Sequence, residues 1–124
     1  MDILVGYNSD EGASFSFGGN DAVAHKASVE ERFGTFAERL LEVYPVDGPV
    51  VTKTGRDLSR DAAFGWHTWS WAGLQSEKGN SKVYMYYFDQ HPEYPEDSPN
   101  YGKGSPHGQD VDFVFKALKK EEAE

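Results

Sequence analysis

Two short β-forming runs, separated by a long helical stretch, constrain this chain more than any other feature. Residues 2–8 form a nearly continuous apolar run typical of a buried strand, and residues 82–88 are mostly strong β-formers. Strands joined through helices pair in parallel. A pair of parallel strands cannot bury its own faces. We therefore expect the chain either to be part of a larger assembly of strands or to associate with copies of itself.

The clearest helix is predicted over residues 28–44. Ser28 and Glu31 fit a capping box, apolar residues recur at helical spacing from Val29 to Tyr44, and Pro45 should end the helix. Residues 45–56 then look like a connector because they hold two prolines and two glycines.

Two further helices are predicted downstream. One spans residues 58–77, capped by Asp57 or Ser59, and its aromatic residues occupy several faces, so it should be covered on most sides. The other spans residues 110–122 and is capped by Asp110. Together with the strands, these helices predict an α/β fold in which a few parallel strands pack with three helices.

Charge and composition narrow the classes of function. The net charge of −9 disfavours nucleic acid and anionic membrane surfaces as partners. The absence of cysteine excludes disulfides, thiolate zinc sites and a cysteine nucleophile. The chain contains 18 aromatic residues and 17 Ile, Leu and Val residues, so aromatic rings make up an unusually large part of its apolar side chains. These rings either fill the core, which the composition favours, or line an apolar pocket.

Two polar segments carry the chemistry. The acid turn, residues 8–15, places Glu11 directly after the first strand, and the histidine loop, residues 103–109, places His107 between glycines before the last helix. Strand ends are where open α/β folds place their sites. A carboxylate beside a histidine supplies two of the three members of an acid–base–nucleophile triad.

These segments resemble the C-terminal portion of the type B carboxylesterase family, serine esterases of the α/β-hydrolase fold. The similarity lies in four blocks that follow the family order and cover nearly the whole chain: residues 3–12 with their D-E-G turn, 60–64 at the start of a helix, 82–89 in a strand, and 104–108 with 113–115 around the histidine.

The resemblance implies that Glu11 is the triad acid, that His107 is the general base, and that the reaction is carboxylic-ester hydrolysis through an acyl-enzyme without any metal or organic cofactor. The chain departs from the family in two respects. A G-x-S-x-G nucleophile elbow occurs nowhere in it, and the glycine-rich oxyanion segment is also missing. The isolated chain is therefore expected to be inactive, with a small-molecule ester as its substrate once a nucleophile completes the site.

Several other residues are candidates for a functional role. The tryptophans Trp66, Trp69 and Trp71 either line a substrate pocket or pack in the core, and His67 among them is expected to be a packed helix residue. Ser14 and Ser105 are candidate replacement nucleophiles, although neither lies in an elbow. A divalent-ion site is a weak alternative that would use Asp89, His91, Glu93 and Asp97, whose spacing matches no strong metal motif.

Two other classes of function stay open beside the esterase segment. One is a non-catalytic binding or interaction fragment that keeps the aromatic pocket. The other is a small stand-alone esterase that uses an in-chain serine or one from a partner chain.

Overall fold

The computed structural model, which describes residues 1–14, 21–46 and 51–115, contains a two-stranded parallel sheet. Strand β1 (Ile3–Asn8) pairs with β2 (Val83–Phe88) in a register that runs from Ile3 opposite Val83 to Asn8 opposite Phe88. The predicted α/β class and the parallel pairing are confirmed.

The predicted helix 28–44 is wrong at its start and is divided in two. Helix α1 (Ala22–Phe33) begins six residues earlier because Asp21 caps it, accepting hydrogen bonds from the main-chain N–H groups of Val23 and Ala24. Ser28 therefore lies inside the helix. A 3₁₀ turn from Gly34 to Phe36, in which Gly34 has a φ of 53°, separates α1 from α2 (Ala37–Val43).

The predicted helix 58–77 also begins earlier than expected. Helix α3 (Val51–Arg60) continues through a π-helical turn, Asp61–Gly65, into α4 (Trp66–Lys78). Residues 51–56 are thus helical and not part of a connector. Asp57 and Ser59 are interior helical residues instead of caps, and the Ser59 hydroxyl donates back to the Gly55 carbonyl at 2.7 Å.

The last described helix is α5 (Gln109–Phe115). Asp110 lies in its first turn instead of capping it, and Gly108, at a φ of 84°, makes the turn that leads into the helix. The remainder of the predicted helix 110–122 falls outside the described residues.

The buried apolar core lies between α1, α2 and α3. Val29, Ala37 and Leu58 are buried there, and the side chains packed around them are Phe33, Leu40, Leu41 and Tyr44. The tryptophans do not belong to this core, because all three are more than half exposed. In the part of the chain that the structure describes, Ala72 is the buried residue of α4. These residues therefore leave most of α4 uncovered, and the expectation that it is covered on most sides stays a prediction.

Both faces of the sheet keep exposed apolar side chains. Leu4 and its register partner Tyr84 are exposed on one face, and Met85 and Tyr87 are exposed on the other. Helix α5 contacts β2 through the Tyr86 hydroxyl, which donates to Asp110, and through the Phe88 and Phe113 rings, which meet edge-on at 5.6 Å between their centroids. Within residues 1–14, 21–46 and 51–115, no helix is both long and apolar enough to cross a membrane.

Candidate active site

The acid turn and the histidine loop meet at the carboxyl edge of the sheet. Beyond β1, the Ser9 N–H donates to the Phe88 carbonyl at 2.8 Å, which prolongs the strand pairing by one residue. Asp10 then forms an isolated parallel bridge with Pro106, and its N–H donates to the Ser105 carbonyl at 2.9 Å. Main-chain pairing therefore places the two loops side by side.

Glu11 and His107 form a hydrogen-bonded pair in this arrangement. His107 Nδ1 lies 2.6 Å from Glu11 Oε2, so the predicted approach of these two side chains is confirmed. The Glu11 side chain is 8% exposed, whereas the His107 side chain is 58% exposed. The carboxylate is thus sheltered while the ring remains accessible to a reactant.

The pair has a defined proton arrangement when the imidazole is neutral. An ionised carboxylate can only accept, so the proton between the two groups is carried by Nδ1 and the second ring nitrogen, Nε2, becomes the basic atom. Glu11 Oε1 accepts from the Asn8 main-chain N–H at 3.0 Å, which holds the carboxylate in place. The pair can therefore act as an oriented general base.

The neighbouring carboxylate, Asp10, is committed to other partners. Arg56 Nε donates to both Asp10 oxygens at 3.0 and 3.1 Å, and the Gly104 N–H donates to Oδ2 at 3.2 Å. Asp10 therefore anchors the acid turn to α3 and to the histidine loop, and it leaves Glu11 as the carboxylate that serves His107.

Gly12 allows the acid turn to lie directly on α3. A Cβ atom at this position would collide with the Arg56 carbonyl oxygen. Any side chain at position 12 would push the turn, and Glu11 with it, away from the helix.

The π-helical turn places a ring against the histidine. The Phe64 ring lies 5.4 Å from the His107 ring between centroids, with a 38° tilt. Because α3, the π turn and α4 are continuous, residues 60–64 lie in the middle of a helical run, and the prediction that this block starts a helix is wrong. Sequence reasoning missed the role of Phe64, because a π turn leaves no local signal in the residue pattern beyond a shift of helical phase.

Arg60 and Asp61 bind the same turn to the sheet edge. Arg60 Nη1 donates to the Ser9 carbonyl at 3.0 Å, Arg60 Nε lies 2.7 Å from Asp61 Oδ1, and the Tyr44 hydroxyl donates to Asp61 Oδ2 at 2.6 Å. Burial, followed by the hydrogen bond and negative charge of Asp61, raises the pKa of Tyr44 well above its usual range. These contacts were not predicted from the sequence.

A large open groove lies beside the π turn. Its volume is about 940 Å³, and Trp66, Trp69 and His67 line it. Trp71 is not among the lining residues, so the structure brings together only two of the three predicted pocket tryptophans. His67 is exposed, so the expectation that it is a packed helix residue is wrong.

The structure bears on one of the two candidate serine nucleophiles and on the divalent-ion alternative. Ser105 is fully buried, so a substrate cannot reach its hydroxyl in this conformation. The Ser14 side chain lies outside the described part of the chain. The described ranges contain no group of three or more potential metal ligands, and His91 Nδ1 contacts the Pro92 carbonyl oxygen at 3.0 Å.

Comparisons with family models, with curated proteins and with solved structures find no match to this chain. The resemblance to type B carboxylesterases therefore stays a prediction from the residues.

Proposed function

We propose that this chain is the acid and histidine segment of a carboxylic-ester hydrolase of the type B carboxylesterase kind. The observation that carries the proposal is the 2.6 Å contact between Glu11 Oε2 and His107 Nδ1 at the carboxyl edge of a parallel strand pair. A sheltered carboxylate and an accessible imidazole are the two parts that a serine hydrolase places next to its nucleophile.

In the proposed reaction, His107 Nε2 removes the proton of a serine hydroxyl while the serine oxygen attacks the ester carbonyl carbon. The ester C–O bond then breaks, the leaving alkoxide takes the proton from His107, and an acyl-enzyme remains. A water molecule, deprotonated by the same nitrogen, then attacks the acyl carbon. The acyl–serine bond breaks, the serine oxygen takes the proton back from His107, and the acid is released. Glu11 keeps the imidazole in the Nδ1–H tautomer and stabilises the imidazolium formed in each half-reaction.

In this proposal the serine lies outside these 124 residues, in the remainder of a hydrolase. Two features support this source. The 124 residues contain no G-x-S-x-G elbow, and Ser105 is enclosed. The exposed faces of the sheet offer surfaces on which this remainder can pack.

Complementation tests the proposal. The chain is co-expressed with the N-terminal portion of a type B carboxylesterase that carries the elbow but is cut before its own triad acid. Hydrolysis of a 4-nitrophenyl ester and labelling of the elbow serine by a phosphonate probe should both appear. His107→Ala and Glu11→Gln should lower the hydrolysis rate by about two to four orders of magnitude, the usual contribution of a positioned general base.

His67→Ala is the matched control, since it removes an exposed histidine outside the pair. Hydrolysis that falls equally in His67→Ala and His107→Ala would contradict the proposal.

A second candidate function is non-catalytic binding of an apolar small molecule. The open groove beside Trp66 and Trp69 favours it, because its volume lies within the range of small-molecule sites. Quenching of tryptophan fluorescence by an aromatic ligand, with no ester turnover in the complementation experiment, would support this function over the hydrolase.

A further inference from the structure

The side chain of Asn8 connects the two loops of the candidate active site. Asn8 is the last residue of β1 and is 1% exposed. Its Nδ2 donates to the Pro106 carbonyl oxygen at 2.8 Å and to Asp110 Oδ1 at 3.1 Å. Both acceptors belong to the end of the chain that carries His107, about 100 positions from Asn8.

These contacts close a ring around the Glu11–His107 pair. The Asn8 main-chain N–H donates to Glu11 Oε1, and Glu11 Oε2 accepts from His107 Nδ1. Pro106, which immediately precedes His107, accepts from the Asn8 amide. One residue therefore holds the carboxylate through its main chain and the histidine loop through its side chain.

The chemistry of the site requires a donor pair at this position. The two acceptors are a carbonyl and a carboxylate, and the Asn8 amide nitrogen carries two N–H donors. A carboxylate at position 8 would face both acceptors without a proton to share, and an apolar side chain of similar size would leave both without this donor.

Asp110 is itself held by a second contact. The Tyr86 hydroxyl donates to Asp110 Oδ2 at 3.4 Å. Burial, followed by the charge of Asp110 and its hydrogen bond, raises the pKa of Tyr86, so this hydroxyl remains a donor throughout the neutral range. The acceptor of the Asn8 amide is thereby fixed in orientation.

We infer that Asn8 is a positioning residue whose side-chain amide sets the orientation of His107 toward Glu11. The inference deepens the proposed function, because it concerns the same pair and rests on it. It requires neither a nucleophile nor turnover to be tested.

The test reads the tautomer of His107 directly. The full chain, labelled with ¹⁵N in its histidine rings, is studied by NMR at a pH where the ring is neutral. The wild type should show the Nδ1–H tautomer, and Glu11→Gln should lose this preference. In Asn8→Leu, which keeps the branched shape and the number of side-chain heavy atoms but removes both donors, we expect the Nδ1–H population to fall toward that of Glu11→Gln.

Ser59→Ala is the matched control, because it tests whether the loss of any buried side-chain hydrogen bond is enough to change the His107 tautomer. It also deletes a buried side-chain hydrogen bond, the one to the Gly55 carbonyl, but at a site outside the ring. The Nδ1–H tautomer should persist in Ser59→Ala. An unchanged tautomer in folded Asn8→Leu, or equal losses in Asn8→Leu and Ser59→Ala, would overturn the inference.

Two variants of Asp110 decide the question if Asn8→Leu does not fold. Asp110→Asn retains a carbonyl acceptor for the Asn8 amide and should preserve the tautomer, whereas Asp110→Ala removes the acceptor and should weaken it. Identical behaviour of these two variants would overturn the inference. A wild type without the Nδ1–H tautomer would instead remove the observation that carries the proposed function, so the two failures are distinguishable.

Discussion

Glu11 and His107 stand 96 positions apart in the chain, and their side chains meet at 2.6 Å between Oε2 and Nδ1. Three sets of contacts, distant from each other in sequence, lie around this pair. The parallel strand pair brings the loops to one edge, Arg56 neutralises Asp10 beside the pair, and Asn8 ties the acid turn to the histidine loop.

The isolated chain should hydrolyse simple aryl esters no faster than an exposed histidine does. It has the base but neither the elbow nor the oxyanion segment, and one oxyanion donor alone contributes about 10²–10³-fold to rate in other hydrolases. The measurement is release of 4-nitrophenol by wild type, His107→Ala and His67→Ala. Robust turnover that disappears only in His107→Ala would refute the prediction and favour a small stand-alone esterase.

Gly12→Ala should destabilise the fold and separate the acid turn from α3. The new methyl group meets the Arg56 carbonyl oxygen, and such overpacking typically costs about 1–3 kcal/mol. Gly73→Ala is the control, because a Cβ atom on Gly73 of α4 meets open space and should stabilise the helix by about 0.5–1 kcal/mol. Urea unfolding measures both variants, and equal effects would show that the close approach is not present.

Arg56→Leu should be strongly destabilising because it leaves Asp10 as a buried, unpaired carboxylate. The Arg56 and Asp10 side chains are 15% and 6% exposed, and breaking a buried pair on one side costs about 3–5 kcal/mol. Lys26→Met, which breaks the exposed pair with Glu30, should cost less than about 1 kcal/mol. Chemical unfolding measures the stability of both variants. Similar losses of unfolding free energy in Arg56→Leu and Lys26→Met would mean that Asp10 is not anchored by Arg56.

Alkaline pH should destabilise the protein through Tyr44. Its pKa in the folded state is raised by burial and by the hydrogen bond to Asp61, so the stabilising effect is complete below about pH 10, the ordinary tyrosine value. Above that pH the unfolded chain loses this proton first, and stability falls. Tyr44→Phe should be less stable at neutral pH and should show a shallower alkaline decline. A slope as steep as that of the wild type would contradict the assignment, and Tyr101→Phe at an exposed position is the control.

The chain should form a dimer or a higher homo-oligomer unless a hydrolase remainder covers its sheet and α4. The exposed apolar residues on both sheet faces and the exposed tryptophans form a large apolar surface, which favours association with another protein surface. Light scattering across a dilution series measures the mass. Leu4→Lys with Tyr84→Lys should shift the population toward monomer, whereas Val23→Lys at an exposed site on α1 should not. A wild-type monomer at low micromolar concentration would refute the prediction.

Local sequence pattern determined the strands, their parallel pairing and the positions of the acid turn and histidine loop. Runs of β-formers and polar turns are short-range signals, so residues 2–8 and 82–88 predicted β1 and β2 to within a residue. The same signals failed at helix starts. Ser28 and Glu31 satisfied a capping rule but lie inside α1, because Asp21 supplied the cap earlier in the chain.

Tertiary structure alone decided how the site is held together. The hydrogen bonds from Arg56 to Asp10, from Asn8 to Pro106 and from Arg60 to Ser9 join residues 46 to 98 positions apart. No periodicity or spacing rule reports such contacts, because each depends on where two separate elements pack. The exposure of Trp66 and Trp69 was likewise decided by packing, since an aromatic helix is buried only when the rest of the fold offers enough surface to cover it.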